Sequence, residues 1–200
     1  MDIAYKIEFF SEWHCGSGLS AGADTDALVI KDSEGFPYIP GKTLKGLFRE
    51  AIEELIELKD TSTEIEKKAF ENSFGYFSDN KAEGKKGSIF FTNAELELKE
   101  QIKKAKAQCY LFRRITSTAI DNGVAEANSL RSMETVVPCT LTGEILDIDD
   151  SLETLMKDSA MFIKRLGQNR NRGLGRCDIK ITAIENKKGT AHTENKEEQA

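Results

Sequence analysis

The sequence predicts an α+β fold, because segments with the two-residue periodicity of β-strands are interspersed with segments that suit amphipathic helices. Four segments are rich in β-forming residues and are interpreted as core strands: 3–13, 87–98, 138–148 and 177–185. Two segments have apolar residues available for one buried helix face: 41–58 and 151–165. In chain order these elements follow the ferredoxin-like pattern β-α-β-β-α-β.

The N-terminal part of the chain contains the first strand and the first helix. A glycine-rich stretch, 14–22, follows the first strand and is predicted to be a loop. Residues 27–39 are interpreted as two short strands joined by a turn at 32–35. The helix over 41–58 follows a Pro-Gly pair, and its apolar stripe consists of Leu44, Leu47, Phe48, Ile52, Leu55 and Ile56.

Two long polar segments separate the remaining core elements. Residues 59–88 form a polar connection with helical character around 63–71. Residues 99–137 are polar and basic, and they are predicted to be an insertion that protrudes from the core as an extended hairpin. Asp150 is the expected N-cap of the second core helix, 151–165.

Length and composition indicate one globular domain in a reducing compartment. We expect the domain to span 1–185 and the polar residues 186–200 to form a disordered tail. No apolar run is long enough for a membrane span, and the first residues do not resemble a signal peptide, so no membrane partner is expected. The cysteines are far apart, which favours reduced thiols in the cytoplasm over a zinc site completed by His14 or His192.

The net charge of the whole chain and the local charge of its segments give opposite indications about nucleic-acid binding. A formal net charge of −6 argues by itself against a nucleic-acid partner. However, residues 101–120 and 164–176 contain several lysines and arginines and no acidic residue. Because electrostatic attraction depends on local surface charge, these two segments can still hold a phosphate backbone.

Two segments combine basic residues with backbone features that favour anion binding. GFPYIPGKTLKGLFREA, 35–51, leads into a helix N-terminus, where backbone N–H groups and basic side chains can bind phosphate. GQNRNRGLGRC, 167–177, has glycines that permit close approach and arginines that donate hydrogen bonds. From these residues alone, a capped helix with solvated lysines and a solvated turn are the competing interpretations.

The order of these motifs gives the sequence a resemblance to a known family. HCGSG at 14–18, D-x-x-V-I-K-D at 26–32, PYIPGKTLKGLFR at 37–49 and RNRGLGR at 170–176 resemble the RAMP superfamily. The resemblance is greatest to the repeated backbone subunits of type III CRISPR effector complexes. It implies a ferredoxin-like (RRM-like) core, a thumb-like hairpin in the insertion, and copies of the subunit that polymerise along a guide RNA (crRNA). Complementary target RNA and other effector subunits are the further partners that it implies.

The resemblance also implies which residues bind RNA. His14, Gly16 and Gly18 belong to the family's first loop, and the residues after Gly41 match contacts to the guide backbone. Arg113 and Arg114 lie at the base of the implied thumb. The full set is His14, Gly16, Gly18, Lys42, Thr43, Lys45, Arg49, Arg113, Arg114, Arg170, Arg172, Gly173, Gly175 and Arg176.

Asp26 occupies the position of the catalytic aspartate in the members of the family that cut target RNA. A loop carboxylate can hold a divalent ion, Mg or Mn, near the scissile phosphate and help to align the 2′-hydroxyl for attack. The resemblance therefore implies a metal-dependent endoribonuclease without an organic cofactor, active in the assembled complex. Asp24 is a competing candidate, whereas Asp32 is interpreted as a turn former.

Two alternative functions are consistent with the sequence. A guide-RNA-processing endoribonuclease of the same superfamily would use His14 as a general base, although the only other histidine, His192, lies in the expected tail. A capping subunit would bind RNA without cutting it.

Overall fold

The computed structural model describes residues 1–22, 24–58, 64–76 and 84–185. Its helices are α1 (Gly41–Leu58), α2 (Glu64–Phe74), α3 (Lys99–Lys104) and α4 (Glu153–Phe162). Its strands are β1 (Asp2–Phe9), β2 (Gly75–Tyr76), β3 (Lys85–Lys86), β4 (Phe90–Phe91), β5 (Glu95–Leu96), β6 (Phe112–Ser117), β7 (Ile120–Asp121), β8 (Val124–Ala125), β9 (Arg131–Val136), β10 (Thr140–Leu146) and β11 (Cys177–Glu185). Short 3-10 helices occupy Gln108–Leu111, Asp150–Leu152 and Arg170–Arg172.

The central feature is an antiparallel sheet with the strand order β11-β1-β10-β4, and β5 extends the pairing along β10. Side chains of β1 alternate between buried and half-buried positions, because the buried ones point toward α1 and α4. The core joins the sheet and these helices through Ile3, Tyr5, Ile7, Leu44, Phe48, Ile52, Leu141, Ile145, Leu155 and Met156. The predicted α+β class is therefore confirmed.

Helix α1 has the bounds that the sequence predicts. The N–H group of Gly41 donates to Oδ1 of Asn93 at 3.0 Å, which satisfies one of the unpaired donors of the first turn. Asn93 lies between β4 and β5, where Ala94 exchanges two backbone hydrogen bonds with Ile39, at 2.9 and 3.0 Å. The prediction of one continuous strand over 87–98 is wrong, because this interruption holds the start of α1.

The N-cap of the second core helix also differs from the sequence prediction. Oδ1 of Asp149 accepts from the backbone N–H and the hydroxyl of Ser151, at 3.0 and 2.7 Å. Asp149 is thus the N-cap of the 3-10 turn that leads into α4, and the prediction of Asp150 is wrong. Asp150 instead lies 3.2 Å from the terminal amino group of Met1.

Residues 27–39 form isolated bridges rather than the two regular strands that the sequence predicts. Lys31 pairs with Pro37, and between them the N–H of Asp32 donates to the Phe36 carbonyl at 2.9 Å. Gly35 donates to the Asp32 carbonyl at 3.0 Å and closes the expected turn. The turn is therefore present, although its flanks are too irregular to count as strands.

The insertion contains the expected hairpin and one element that the sequence does not predict. β6 and β9 pair antiparallel from Phe112↔Val136 to Ser117↔Arg131, and β7 pairs with β8 near the tip. Before the hairpin lies α3, a six-residue helix that no sequence periodicity indicates because only Ile102 packs toward the apolar side chains around it.

The cysteines are free thiols. Burial raises the pKa of Cys15 and of Cys139 to about 11, and that of Cys177 to about 12, so these three thiols stay protonated at neutral pH. Among the described residues, no three His, Cys, Asp or Glu side chains lie close enough together to share a metal ion.

Two of the predicted segments lie wholly or partly outside the described residues. The expected tail, 186–200, lies outside them, as do parts of the polar connection over 59–88. In the part of the chain that the structure describes, no helix has both the length and the apolar character that crossing a membrane requires.

Candidate nucleic-acid interface

A surface cleft of about 390 Å³ lies beside the N-terminus of α1, and we call it the α1 cleft. Three segments that are far apart in the sequence line it: the loop after β1, the first turns of α1 and the loop before β11. They bring together five of the predicted RNA-binding residues: His14, Gly16, Lys42, Thr43 and Arg170. A helix N-terminus, a lysine, an arginine and a hydroxyl in one cleft suit a phosphate backbone.

Backbone contacts hold the loop before β11 against the loop after β1. The N–H of Gln168 donates to the carbonyl of His14 at 2.9 Å, and the N–H of Gly175 donates to that of Glu12 at 2.7 Å. Leu166 in turn donates to the carbonyl of Gly175 at 2.9 Å, which closes the loop on itself. The position of Arg170 in the cleft therefore depends on these contacts.

His14 is fully buried where it lines the α1 cleft. Its Nδ1 atom lies 2.6 Å from the carbonyl oxygen of Glu134 in β9. Since a carbonyl oxygen only accepts, Nδ1 carries the proton of this hydrogen bond. The other ring nitrogen, Nε2, is buried and has no hydrogen-bond partner among the described residues. This is an unusual state for a buried polar atom.

A second cavity, of about 480 Å³, lies between the base of the hairpin and the loop before β11, and we call it the Asp26 pocket. Its lining combines apolar side chains with one carboxylate, that of Asp26, and two arginines. The lining residues are Asp26, Ala27, Ile115, Ser117, Arg131, Ser132, Met133, Gln168, Asn169, Arg172 and Leu174. Because Gln168 lines both cavities, the loop before β11 separates them with Arg170 on one side and Arg172 on the other.

Asp26 is exposed, yet its carboxylate is held in place. Oδ2 accepts the backbone N–H of Ser132 at 2.7 Å, and the N–H of Asp26 donates to the carbonyl of Ser132 at 2.9 Å. Within the described part of the chain, Oδ1 has no hydrogen bond and remains available to a ligand. The first contact fixes the direction of the side chain, and the second holds the backbone of Asp26 against β9.

The two other aspartates nearby are engaged in contacts within the protein. Asp24 forms an ion pair with Arg114, and its carbonyl accepts the hydroxyl of Ser132 at 2.9 Å. Oδ2 of Asp32 accepts from Lys99 at 2.7 Å. Burial alone would raise the pKa of Asp32, but the hydrogen bond from Lys99 and two backbone N–H groups hold it below its usual value. Asp32 is thus a turn former, as predicted.

The fit of a divalent ion to this site can be judged from the donors present. Mg²⁺ is usually bound by one or two carboxylates together with substrate phosphates and water. Asp26 offers one free carboxylate oxygen, and the described residues contain no cluster of three acidic, cysteine or histidine ligands. Asp26 can therefore contribute one ligand to an ion whose other ligands come from RNA and water.

Several predicted RNA-binding side chains do not line either cavity. Nζ of Lys45 donates to the carbonyl of Ile89 at 3.0 Å, and burial, together with Arg49 and Lys86, lowers the pKa of Lys45. Arg49 pairs with Glu53, four residues later, at 2.9 Å. These two side chains therefore contact Ile89 and Glu53 and do not line the α1 cleft.

The remaining predicted RNA-binding residues lie outside the two cavities. Arg113 pairs with Glu12 at 3.0 Å, and Gly18 lies in an exposed turn outside the α1 cleft. Gly173 follows the 3-10 turn and also has a positive φ. The backbone of Arg176 bridges to Arg165, and its side chain is exposed.

Sequence reasoning missed the residues that complete the two cavities. Arg131 borders the Asp26 pocket because it pairs with Ser117 across the hairpin, a register that the sequence does not specify. Gln168 lies within the glycine- and arginine-rich motif, so its proximity to Arg170 is a signal that could have found it. Glu50 lines the α1 cleft eight residues after Lys42, on the same helix stripe.

Comparisons with known proteins give a family match and a fold match. A sequence model of the RAMP superfamily matches residues 6–178. A chain of a type III-B Cmr-beta complex in the apo state, solved by cryo-EM, has a TM-score of 0.65 at 12% identity, with 90% of this chain and 97% of that chain covered. A chain of type III-B Cmr-beta bound to cognate target RNA gives 0.63 at 14% identity, with the same coverage. No curated protein matches the sequence.

Proposed function

This chain belongs to the RAMP superfamily, and from that premise we propose that it is a guide-RNA-binding subunit of a type III CRISPR effector that cuts complementary target RNA. The observation that carries the proposal is the convergence of His14, Lys42 and Arg170 in one cleft, beside a pocket that contains an oriented Asp26. Copies of this chain along the guide and other effector subunits are the proposed partners. The similarity to chains of Cmr-beta complexes supports this assignment.

RNA binding is proposed to rest on contacts with the phosphate backbone. Lys42 and Arg170 supply positive charge in the α1 cleft, and Arg131 and Arg172 supply it in the Asp26 pocket. The lining of each cavity has more basic than acidic residues, which supports local binding of phosphate despite the overall charge of −6. Contacts of this kind carry little sequence information, so guides of any sequence should bind.

Target cleavage is proposed to use the 2′-hydroxyl next to the scissile phosphate as the nucleophile. The 2′-hydroxyl loses its proton as its oxygen bonds to phosphorus, and the bond from phosphorus to the 5′-oxygen of the next nucleotide breaks. That 5′-oxygen takes up a proton, so the products are a 2′,3′-cyclic phosphate and a 5′-hydroxyl. Asp26, oriented by Ser132, fixes the position of the reacting RNA step through its free carboxylate oxygen. A divalent ion, when bound, would neutralise charge on the phosphate.

Asp26 is a better candidate for this chemistry than the alternatives. Arg114 pairs with Asp24, and among the described residues no second histidine is present to share acid–base chemistry with His14. A guide-processing reaction based on His14 is therefore not the function that we propose. A capping role would leave the orientation of Asp26 without a use.

Removing two basic residues from the α1 cleft is expected to weaken RNA binding and its dependence on salt. Each phosphate contact that is lost should lower the slope of log affinity against log salt by roughly 0.7 for single-stranded RNA. The variant Lys42→Ala/Arg170→Ala should therefore show a smaller slope when guide-RNA binding is measured at several salt concentrations.

The matched control for that experiment is Lys67→Ala/Lys157→Ala, which also removes two exposed positive charges, from α2 and α4, that pair with Glu64 and Glu153. It should leave both affinity and slope unchanged. Equal losses in the control and in the cleft variant would show that binding follows total charge, and an unchanged slope in the cleft variant would remove the proposed phosphate contacts.

A further inference from the structure

The unpartnered nitrogen of His14 identifies what the α1 cleft requires from its ligand. Nδ1 donates to the carbonyl of Glu134, so in the neutral ring Nε2 has a lone pair and can only accept. A hydrogen-bond acceptor that is buried at the base of a cleft calls for a ligand that donates.

The surroundings of Nε2 add a second requirement. A methyl group placed on Gly16 would lie 3.1 Å from Nε2 of His14 and also 3.1 Å from the side-chain nitrogen of Gln168. The acceptor on His14 and the amide nitrogen of Gln168 therefore lie close to each other, on the side of Gly16 where a side chain would project. The Gln168 side chain is exposed, so a shift of its amide away from Gly16 would admit a ligand atom between the two nitrogens. That atom must accept from Gln168 and donate to His14, as a hydroxyl oxygen does.

On a nucleic-acid backbone, one group meets both requirements. Phosphate oxygens and the ring oxygen of the sugar accept hydrogen bonds but cannot donate them. The ribose 2′-hydroxyl both donates and accepts, and DNA lacks it. Lys42 and Arg170 in the same cleft suit the phosphate next to that ribose. We infer that the α1 cleft recognises a ribose 2′-hydroxyl through His14 and Gln168 and so selects RNA over DNA, an inference that rests on the proposed guide-RNA binding.

The decisive experiment changes the RNA and leaves the protein intact. Guides with a single 2′-deoxy substitution, moved one nucleotide at a time, should show a loss of binding of roughly tenfold at positions that occupy the cleft. A 2′-fluoro substitution, which removes the donor but keeps the size, should give the same loss there. A 2′-amino substitution, which restores a donor, should recover most of the affinity.

Protein variants connect that loss to the two residues. Gly16→Ala places a methyl group between the two nitrogens without an unfavourable backbone angle and should abolish the difference between 2′-hydroxyl and 2′-deoxy guides. His14→Leu, which removes the acceptor, should do the same. The control is Lys157→Ala, a substitution on α4 outside the α1 cleft. The control should keep the full difference.

Each other outcome overturns the inference in a recognisable way. Tight guide binding with no sensitive position in the 2′-deoxy scan would mean that Nε2 meets only water, while the proposed function would stand. Sensitivity to methylphosphonate but not to 2′-deoxy substitution would assign His14 to a phosphate. Cutting of the guide at the sensitive nucleotide, lost in His14→Leu, would make His14 a general base. Absence of any guide binding would instead remove the proposed function itself.

Discussion

Replacing Asp26 by asparagine is expected to lower target-RNA cleavage by the assembled complex by roughly 10²- to 10⁴-fold, the range for loss of a positioned catalytic group. Guide binding and folding should not change. Asparagine has the same shape, and its side-chain oxygen can still accept the N–H of Ser132 that orients Asp26 at 2.7 Å. What the variant lacks is the negative charge at the free carboxylate oxygen. The measurement is the cleavage rate under single-turnover conditions with a saturating divalent ion.

Asp24→Asn is the matched control for this prediction. Asp24 is also exposed and lies two residues earlier, but it pairs with Arg114 and does not line the Asp26 pocket. Its variant should cleave at the wild-type rate, and removal of the divalent ion by a chelator should reproduce the Asp26 variant. If Asp26→Asn cleaves normally while Asp24→Asn does not, the catalytic assignment is wrong. If both cleave normally, the chemistry belongs to another subunit.

The parts of the fold that the sequence predicts well are those that local periodicity determines. Helix α1 and strand β11 have the predicted bounds, because each has a clear apolar pattern between residues that stop it. The interrupted strand over 87–98 escapes prediction because Ala94 pairs with Ile39, a contact between segments 55 residues apart (94 − 39). Periodicity cannot indicate such a contact.

The candidate site also combines features that local sequence indicates with contacts between residues far apart in the sequence. Lys42, Gly46 and Glu50 lie four residues apart on one stripe of α1 and line the cleft, whereas Lys45 and Arg49 lie on the adjacent stripe. Helical periodicity alone could not have separated the two groups, because Arg49 comes seven residues after Lys42 and lies on the same side of the helix. The convergence of residues 14 and 168 beside Gly16 could not be predicted either, because loop packing over 154 residues (168 − 14) creates it.

Among substitutions in the loop before β11, Gly175→Ala is expected to have the largest effect on folding. Gly175 is buried, its φ is +71°, and a methyl group added to it would lie 1.9 Å from the carbonyl oxygen of Leu166. That carbonyl belongs to rigid backbone, so the loop must open to relieve the clash. Strain and overpacking together should lower the free energy of unfolding by about 2–5 kcal/mol. Chemical denaturation monitored by circular dichroism would measure this loss.

Gly173→Ala separates the cost of the backbone angle from the cost of the clash. Gly173 has a φ of +93° in the same loop, but an added methyl group would meet no atom within 4 Å. Its variant should lose only about 1–2 kcal/mol, the cost of the left-handed conformation. Because Arg170 and Arg172 lie between Leu166 and Gly175, opening of the loop should also weaken guide binding in Gly175→Ala far more than in Gly173→Ala. Equal losses in the two variants would show that the contact with Leu166 does not hold the loop in place.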